Sequence, residues 1–599
     1  MLQWNAGDLN PEQEQAILAP GSVFLIACPG SGKTRTLTYK IAHELSKLSG
    51  SKQWVVALTY TNRAADEIHE RIEALGVDTS QLWIGTIHSF CLEWILKPYH
   101  LYLPQLAHGF RLIDQHDAEV MLTKLCASHS ANGLSVTYWD CGYYVKGDGY
   151  HLTCLNVQKH ATVKKILHAY LKILKDNRQI DFELLLYYAH KLISNNPSIP
   201  KLLSNLFSCV LVDEYQDTKE IQYSIVSAIL TAGAGRTTIL IVGDPNQAIY
   251  KSLGGYAISV ADFRAMAGIP VTEMSLSLNY RSSDKITKYF SEYNVHATKI
   301  ESAGKHKDYA STITLNNTVV KDGIDAELER LIRHNIETKG IAQNEICILA
   351  PQWVHLASMT RSLAARMPEY VFDGPGMVPF SRDVENFWYK LSKICLTSAS
   401  PALYVRRTRW AAEILRELAL AGVAVPQHTS KSFLRLCNTI QVTETDGLNY
   451  LRQFFADLFR AFGVDYKEFA HLKEHYDAFF DSSQSRIDRL TKEGSSFISD
   501  ITAFRNVFKD KSGITISTIH GIKGDEYDVV IAYALLEGMV PHFNDGDGDI
   551  SAKKLLYVIC SRARKNLHLI SETGRKRGRY DVYGPTNVLA GYQYGYDVV

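Results

Sequence analysis

The sequence predicts an α/β protein with two parallel-sheet cores, each interrupted by a mostly helical insertion. Short apolar runs that end in small or acidic residues alternate with stretches of helical periodicity, which is typical of parallel sheets covered by helices. The runs form one set before residue 245 and another after residue 345. Each set is split by a long block with helical spacing, at 91–190 and at 386–505.

The first core begins with the apolar run 23–27, followed by a glycine-rich loop and a helical stretch through Leu45. Further strands are expected at 54–58, 210–213 and 238–244. Strands of the second core are expected at 346–349, 529–532 and 567–570. The two long blocks exceed the length of ordinary loops and carry amphipathic spacing, so they are interpreted as inserted helical domains.

Composition limits the function classes. The 599 residues suffice for about four domains. The chain has 64 Lys and Arg against 63 Asp and Glu, so no uniform field attracts nucleic acid or anionic membrane. Residues 551–580 nevertheless hold nine basic residues against Glu572 alone, which indicates a local grip on nucleic acid.

No segment of the chain has a secretory or membrane pattern. No stretch approaches 18 uninterrupted apolar residues, and the N-terminus lacks a basic region followed by an apolar one. The ten cysteines are scattered singly, without pairs or Cys/His clusters at metal spacing. We therefore expect reduced thiols, a cytoplasmic location and no membrane partner.

Residues 27–34 read A-C-P-G-S-G-K-T between a predicted strand and a predicted helix, the context of a phosphate-binding loop. Lys33 is expected to reach the β and γ oxygens of ATP, and the Thr34 hydroxyl to ligate Mg²⁺. Backbone N–H groups of the loop would converge on the phosphates. The nucleotide-binding residues are therefore Ala27, Cys28, Pro29, Gly30, Ser31, Gly32, Lys33 and Thr34, with Ala27 where the strict pattern has Gly.

Asp213 and Glu214 follow an apolar run, and paired carboxylates at the end of a strand suit metal-assisted attack of water on a phosphate. Asp213 is expected to hold Mg²⁺ and Glu214 to polarise the water. An acidic pair alone is more often a solvated turn or a helix cap. Together with the phosphate loop, the pair predicts ATP hydrolysis.

Nine motifs in one order resemble the UvrD/Rep/PcrA helicases of superfamily 1. Besides the loop and the acidic pair, they lie at 9–13, 59–65, 85–88, 243–250, 278–282, 518–527 and 556–564. They extend over nearly the whole chain. The resemblance implies two RecA-like cores, the first at 1–90 and 191–275 with insertion 1B at 91–190, and the second at 276–385 and 506–599 with insertion 2B at 386–505.

The resemblance also implies roles for single residues at the nucleotide. Gln13 would read the adenine edge, and Arg35 and Tyr280 would enclose the base. Gln247 would sense the γ-phosphate, and Glu526 would hold the ribose. Arg281 and Arg562 would act as arginine fingers that neutralise charge on the departing phosphoryl group.

A DNA track is implied beside the first sheet. Polar and aromatic residues there can stack a base and bond phosphates without reading sequence. Capping of strand ends and helices is the alternative interpretation. The residues are Tyr60, Thr61, Asn62, Thr86 and His88, with His520 and Lys523 as the matching contacts of the second core.

Two base-stacking aromatics of the family are absent. Ser252 and Leu253 occupy the positions where the family continues with Trp-Arg, and Val540 stands where its E-G-x-F-P stretch has Phe. Stacking contributes about 1–3 kcal/mol per base, so we expect a weaker grip on single strands. Tyr256 or Trp353 could replace these aromatics.

The resemblance implies an ATP-dependent 3′–5′ DNA helicase that acts on single strands and on 3′-tailed duplexes. The alternative is an ATP-switched DNA sensor that activates a nuclease on a separate chain, as in anti-phage systems such as Gabija. A small-molecule kinase explains the loop but not the two arginine motifs. RNA in place of DNA stays open, because phosphate contacts dominate either way.

Overall fold

The computed structural model describes residues 4–599 except 6, 114, 130–134, 148, 353, 375–377, 381–385, 426–427, 493–497, 509–511, 544 and 578–580. The last three residues of the basic segment 551–580 therefore lie outside the described part. The chain divides into two compact units, residues 1–324 with 519–599, and residues 325–518. No helix among the described residues is long and apolar enough to cross a membrane.

The first unit contains most of the strands. Up to residue 316 these are β1 (Ser22–Ala27), β2 (Trp54–Thr59), β3 (Leu82–Thr86), β4 (Arg111–Leu112), β5 (Tyr143–Lys146), β6 (Gly149–Leu152), β7 (Gln179–Ile180), β8 (Phe207–Val212), β9 (Thr238–Gly243), β10 (Val271–Leu276), β11 (Leu278–Asn279), β12 (Glu301–Ser302) and β13 (Ile313–Asn316). The helices of this part are α1 (Pro11–Leu18), α2 (Lys33–Lys47), α3 (Asn62–Ala74), α4 (Ile87–Phe90), α5 (Lys97–Tyr99), α6 (Gln115–Ser128), α7 (His160–Asp176), α8 (Phe182–Asn195), α9 (Ser198–Leu206), α10 (Glu220–Gly233), α11 (Val260–Ala267) and α12 (Asp284–Ser291).

The remaining elements fall in two stretches. The second unit begins one residue into α13 (Ile324–Arg333). It continues with β14 (Ile346–Ala350), α14 (Val354–Arg366), β15 (Phe372–Asp373), α15 (Phe387–Cys395), α16 (Tyr404–Leu420), α17 (Ser430–Thr439), α18 (Gly447–Phe462), α19 (Ala470–Lys492), α20 (Ile501–Asn506) and β16 (Ile514–Thr518). The first unit then resumes with β17 (Tyr527–Ala532), α21 (Asp549–Cys560), β18 (Ala563–Ile570), β19 (Lys576–Arg577), β20 (Asp581–Val582) and α22 (Asn587–Gly591).

The first core is a six-stranded parallel sheet in the order β10-β1-β9-β8-β2-β3. Its four central strands β1, β9, β8 and β2 are buried on both faces because helices cover both sides, as expected of a parallel sheet. The strands of the second core are parallel as well: β13, β18 and β17 within the first unit, and β14, β16 and β15 within the second. The predicted pair of parallel α/β cores is confirmed.

Each core carries the predicted mostly helical insertion. Between β3 and β8, helices α4–α9 surround two short sheets, β4 with β7 and β5 with β6. The β5–β6 hairpin was not expected from the sequence, although Gly147 and Gly149 flank its turn. In the second unit, α15–α20 pack around a separate aromatic core that includes Trp388, Phe455 and Phe479. All ten cysteines are free thiols.

Candidate nucleotide and nucleic-acid site

The phosphate loop joins β1 to α2, and its glycines are required by conformation and by space. Gly30 and Gly32 have φ angles of 67° and 79°, which favour glycine. A Cβ at Gly30 would come within 2.6 Å of the Arg281 Cβ, and one at Gly32 within 2.6 Å of the Gln13 side chain. The loop therefore lies directly against Gln13 and Arg281, two of the residues predicted to surround the nucleotide.

Neighbouring segments hold the loop by hydrogen bonds. The Gln13 side chain donates to the Ser31 carbonyl at 2.9 Å, and Asn279 Nδ2 donates to the Pro29 carbonyl at 2.7 Å. The Tyr280 backbone N–H donates to the Gly30 carbonyl at 2.9 Å. The loop is thus positioned before any ligand enters, at the N-terminus of the 15-residue helix α2 where anions are favoured.

The two residues predicted to enclose the base lie near the segment before α1. The Tyr280 hydroxyl accepts a hydrogen bond from Asn10 Nδ2 at 2.8 Å, and the Arg35 guanidinium lies 3.6 Å from the Asp8 carboxylate. Tyr280 is 39% exposed. Both side chains therefore keep a solvent-facing surface that a base could cover.

Asp213 and Glu214 lie at the carboxyl end of β8. Glu214 has a φ of 50°, a strained value for a residue with a side chain. Burial, together with the adjacent Glu214 charge, raises the pKa of Asp213. For Glu214 burial acts in the same direction, but the charges of Lys33 and Lys523 outweigh it and lower its pKa. The pair is therefore polarised, with Glu214 the more acidic member.

Thr34 and Asp213 offer a hydroxyl and a carboxylate oxygen, which are hard donors of the kind Mg²⁺ prefers. Within the described ranges, no group of three or more His, Cys, Asp and Glu side chains is arranged to hold a metal. Mg²⁺ at nucleotide sites takes only one or two protein oxygens and completes its shell with phosphates and water. The donor set therefore fits an ion carried largely by the nucleotide.

Arg562 is buried beside the first core and bonded to a neutral partner. Its guanidinium donates to the Gln247 side-chain oxygen, while Gln247 Nε2 donates to Asp244 at 2.8 Å. Asp244 also accepts a hydrogen bond from the Tyr557 hydroxyl at 3.1 Å. Burial and the nearby Arg281 lower the pKa of Arg562 to about 10, so the side chain stays charged at neutral pH.

Arg281 has a carboxylate partner instead. Its Nε donates to Glu526 at 2.5 Å, and one Nη donates to the Ser561 carbonyl at 2.9 Å. Glu526 also accepts a hydrogen bond from Arg564 at 3.2 Å. The residue expected at the ribose is therefore engaged with two arginines, and the expected ribose contact stays a prediction.

Lys523 connects the nucleotide residues to the expected strand contacts. It forms an ion pair with Asp217 and donates to the Gln247 carbonyl at 3.0 Å. Both side chains of the pair are almost fully buried. Burial raises the pKa of Asp217 to about 6, although the Lys523 charge opposes the shift. Gln247 is thus bonded through its side chain to Arg562 and through its backbone to Lys523.

Three rings, which we call the aromatic strip, comprise Tyr60, Tyr250 and His520. Tyr250 lies in the middle, with ring centroids 5.3 Å from Tyr60 and 5.3 Å from His520. Its hydroxyl donates to the His520 carbonyl at 3.0 Å, and the Lys523 ammonium lies 5.2 Å from its ring centroid. Tyr60 is 43% exposed. The structure brings together Tyr60, His520 and Lys523 from distant motifs around Tyr250.

Tyr250 was missed as a functional residue, although the motif at 243–250 ends on it. Its position directly after Gln247, Ala248 and Ile249 was the available signal. An aromatic residue three positions from the expected γ-phosphate sensor is close enough in the chain to contact both the nucleotide residues and the expected strand contacts. The burial of Tyr250 raises its pKa, so its hydroxyl stays protonated as a donor.

The other expected strand contacts act locally as caps or as packing. Thr61 caps α3 by accepting from the Ala64 N–H at 3.2 Å, and Thr86 caps α4 by accepting from the Ser89 N–H at 3.2 Å. Asn62 is the first residue of α3. Capping leaves a threonine hydroxyl free to donate outward, so these contacts stay predictions.

His88 packs edge-on against Phe182, with ring centroids 5.6 Å apart. Burial, assisted by the charge of Lys219, lowers the pKa of His88 to about 4. The imidazole is therefore neutral at neutral pH. Any contact with a strand would use its ring or a hydrogen bond and would not use a charge.

A cavity of about 400 Å³ opens beside the aromatic strip. Phe182 and Glu183, from the first insertion, line it alongside the expected strand contacts Tyr60 and His88. Lys219 forms an ion pair with Glu183. The first insertion thus contributes residues beside the expected strand contacts, which its sequence did not indicate.

The two missing aromatics have different surroundings. Val540 is completely buried, so a base cannot reach that position, whereas Phe543 of the same loop is 59% exposed. Ser252, at the family's Trp position, is exposed, and so is Leu253, where the family has Arg. Of the suggested replacements, Tyr256 is 40% exposed, and Trp353 lies outside the described residues.

Comparison with known proteins agrees with these motifs. A family model described as the UvrD/REP helicase N-terminal domain matches residues 9–261. A second, described as the UvrD-like helicase C-terminal domain, matches residues 467–574. The two models match parts of both units.

Three relatives illustrate the extent of the similarity. DNA helicase II of Salmonella typhimurium is 33% identical over 46% of this chain and 39% of that protein, so the chain matches about two fifths of its length. The ATP-dependent DNA helicase srs2 of Schizosaccharomyces pombe is 26% identical over 94% of this chain and 71% of that protein. The ATP-dependent DNA helicase PcrA of Staphylococcus aureus is 22% identical over 95% of this chain and 83% of that protein.

Proposed function

The chain belongs to the UvrD/REP family of DNA helicases, and on that premise we propose that it couples ATP hydrolysis to 3′–5′ movement on single-stranded DNA and to unwinding of 3′-tailed duplexes. The observation that carries the proposal is the bonded path from Arg562 through Gln247 to Lys523. It links a residue expected at the γ-phosphate to a residue expected at the strand.

Each chemical role is assigned to a residue of this chain. Lys33 and the loop N–H groups bind the phosphates, and Glu214 accepts a proton from the attacking water. Mg²⁺, bound with Thr34 and Asp213, would neutralise phosphate charge. Arg562 and Arg281 then stabilise charge that develops as the γ-phosphoryl group leaves.

Coupling follows from the partners that these residues hold. Arg562 is bonded to Gln247, and turning toward a γ-phosphate would break that bond. Gln247 would then shift relative to Lys523, which lies over the Tyr250 ring. A change at the nucleotide thus reaches the aromatic strip through direct contacts, which is the physical requirement for such coupling.

Polarity and unwinding are tested together by strand displacement. The protein is incubated with ATP and a duplex carrying either a 3′ or a 5′ single-stranded tail. We expect strand separation of the duplex with the 3′ tail and none of the duplex with the 5′ tail. Preferential separation of the 5′-tailed duplex would contradict the proposal. Lys33→Ala should abolish ATP turnover, while Lys47→Ala in the same helix should retain it, since Lys47 pairs on the surface with Glu44.

A second candidate function is an ATP-switched DNA-binding subunit that activates a nuclease on a separate chain. The observation in its favour is that neither base-stacking position of the family offers a ring, because Val540 is completely buried and the exposed Ser252 stands at the Trp position. Strand-stimulated ATP hydrolysis without displacement of either tail would support this candidate. Co-purification of a nuclease from the native host would identify the partner.

A further inference from the structure

Two sequence stretches of the second unit hold basic residues and lack acidic ones. Neither the stretch 396–412, which includes the first half of α16, nor the stretch 418–443, which includes α17, contains an Asp or a Glu. The whole chain is nearly neutral, so this segregation of charge is local. Basic patches of this kind attract phosphate-bearing ligands.

α16, α17 and the turn before α16 line a small cavity of about 170 Å³ that is open to solvent on one side. This volume corresponds to about five or six water molecules at roughly 30 Å³ each, enough for one phosphate group with some solvent. The polar residues that line the cavity are Ser400, Tyr404, Arg407, Lys431, Arg435 and Asn438.

Arg407 is buried and has only neutral partners. Its two terminal nitrogens donate to the Ile394 carbonyl at 3.0 Å, to the Thr397 hydroxyl at 2.9 Å and to the Asn438 side chain at 2.8 Å, and also to the Thr397 carbonyl. It is 3% exposed. Burying a charge without a counter-charge is costly, and burial lowers the pKa of this guanidinium.

Lys431 and Arg435 add two exposed positive charges at the same cavity. In the part of the chain that the structure describes, neither forms an ion pair. Three positive charges around one cavity repel one another. An anion inside the cavity would relieve that repulsion and provide the missing counter-charge of Arg407.

We propose that this cavity binds a phosphate group, either as free phosphate or as a phosphate of a nucleic-acid strand. The cations, the Tyr404 hydroxyl and the Ser400 hydroxyl offer donors of the type that phosphate oxygens accept. The proposal does not depend on the function assigned to the first unit, because every residue of this cavity lies in the second.

The test compares two double variants by calorimetry in a Lys33→Ala background, which weakens phosphate binding at the loop. Lys431→Ala with Arg435→Ala removes both exposed cations of the cavity. Arg489→Ala with Lys492→Ala, at the end of α19, makes the same change of charge in the same unit outside the cavity. Arg407 is kept, since its replacement could unfold the helix pair.

Three ligands are titrated: inorganic phosphate, a duplex with 5′-phosphates and the same duplex with 5′-hydroxyls. We expect the cavity variant to bind inorganic phosphate at least about tenfold more weakly than the control variant, which corresponds to about 1.4 kcal/mol. If the cavity variant loses affinity for inorganic phosphate only, the ligand of the cavity is free phosphate. A larger loss for the 5′-phosphorylated duplex identifies a terminal phosphate, and an equal loss for both duplexes identifies internal phosphates.

The proposal is overturned if the cavity variant and the control variant bind all three ligands equally. It is also overturned if the parent protein with an intact cavity binds none of the three ligands better than the cavity variant does. Matching melting temperatures of the two variants exclude unfolding as the cause of any difference.

Discussion

The nucleotide site and the aromatic strip adjoin each other in the first unit but are built from different chemistry. Around the phosphate loop the functional groups are charged side chains that bond to other side chains, as Arg281 does to Glu526. Around Tyr250 they are rings, and the half-buried His88, whose pKa is lowered, lines the same cavity. Lys523 belongs to both regions.

This difference teaches what each site can recognise. Preformed charges with exchangeable partners suit a ligand whose charge changes during a reaction, because each partner can be replaced by a phosphate oxygen. Rings suit a ligand that must be held and released without reading its sequence, since every base has a π-face. Three experiments test this contrast, in decreasing order of the change in free energy that we expect.

The first experiment removes a charge from the nucleotide site. Arg562→Ala should lower kcat for ATP hydrolysis by about 10³-fold, because an arginine finger stabilises charge that appears only in the transition state. KM for ATP should change little, since the ground-state phosphates are held by the loop. Steady-state ATPase kinetics in the presence of single-stranded DNA measure both values.

Arg564→Ala is the matched control for this variant. Arg564 pairs with Asp528 at 2.7 Å and with Glu526 at 3.2 Å. Each carboxylate keeps another cation when Arg564 is removed, Asp528 with Lys565 and Glu526 with Arg281. We expect nearly normal kcat. Arg562→Lys keeps the charge but loses the forked geometry, so it should remain strongly impaired. Equal activity of the alanine variants at 562 and 564 would remove Arg562 from the catalytic assignment.

The second experiment tests whether His88, beside the expected strand contacts, is uncharged in the folded protein. His88 has a folded-state pKa of about 4, against about 6.5 in the unfolded chain. The unfolded state therefore binds a proton first as the pH falls, and stability is lost between pH 6.5 and pH 4. At pH 5 the loss from this residue is about 2 kcal/mol.

Melting temperatures at pH 7.5 and pH 5.0 measure this effect. Wild-type protein should lose more stability between the two values than His88→Gln, in which the group no longer titrates. His168→Gln changes an exposed histidine and should behave like the wild type. An equal loss for His88→Gln and the wild type would mean that folding does not lower the pKa of His88, and the contrast between the two regions would fail.

The third experiment removes the central ring of the aromatic strip. Tyr250→Ala should weaken single-stranded DNA binding by at least about 1 kcal/mol, roughly fivefold, because it deletes the ring between Tyr60 and His520. Tyr250→Phe keeps the ring and loses only the hydrogen bond to the His520 carbonyl, so its affinity should stay near the wild-type value. Fluorescence anisotropy with a labelled oligonucleotide measures both, and equal weakening by the two variants would indicate a role for the hydroxyl instead of stacking.

Much of the fold and of the nucleotide site could be predicted because the evidence is local in the sequence. A phosphate loop needs a strand, glycines, a lysine and a helix in immediate succession, and residues 22–47 supply them in order. Alternation of apolar runs and helical stretches likewise predicted two parallel cores. The β5–β6 hairpin was missed because its short strands lie within a block whose dominant spacing is helical.

The strand side was less predictable because its properties depend on neighbours that are distant in the chain. Motif order placed Tyr60, His520 and Lys523 in one track, but it did not indicate that they meet around Tyr250. Thr61 and Thr86 show the same limit, since the pattern that suggests a strand contact also suggests a helix cap. The structure adds that both do cap helices.

The family, the two parallel cores and the kinds of side chain around the loop follow from the amino-acid sequence, because they depend on residue identity at short spacing. Which side chains are buried, and which partners they bond, became known only from the folded chain. It buried Val540, bonded Gln247 to both Arg562 and Lys523, and enclosed Arg407 among neutral oxygens. Burial and pairing depend on contacts between segments that are far apart in the chain. Burial and pairing in turn determine the protonation state of each side chain and which ligands it can contact.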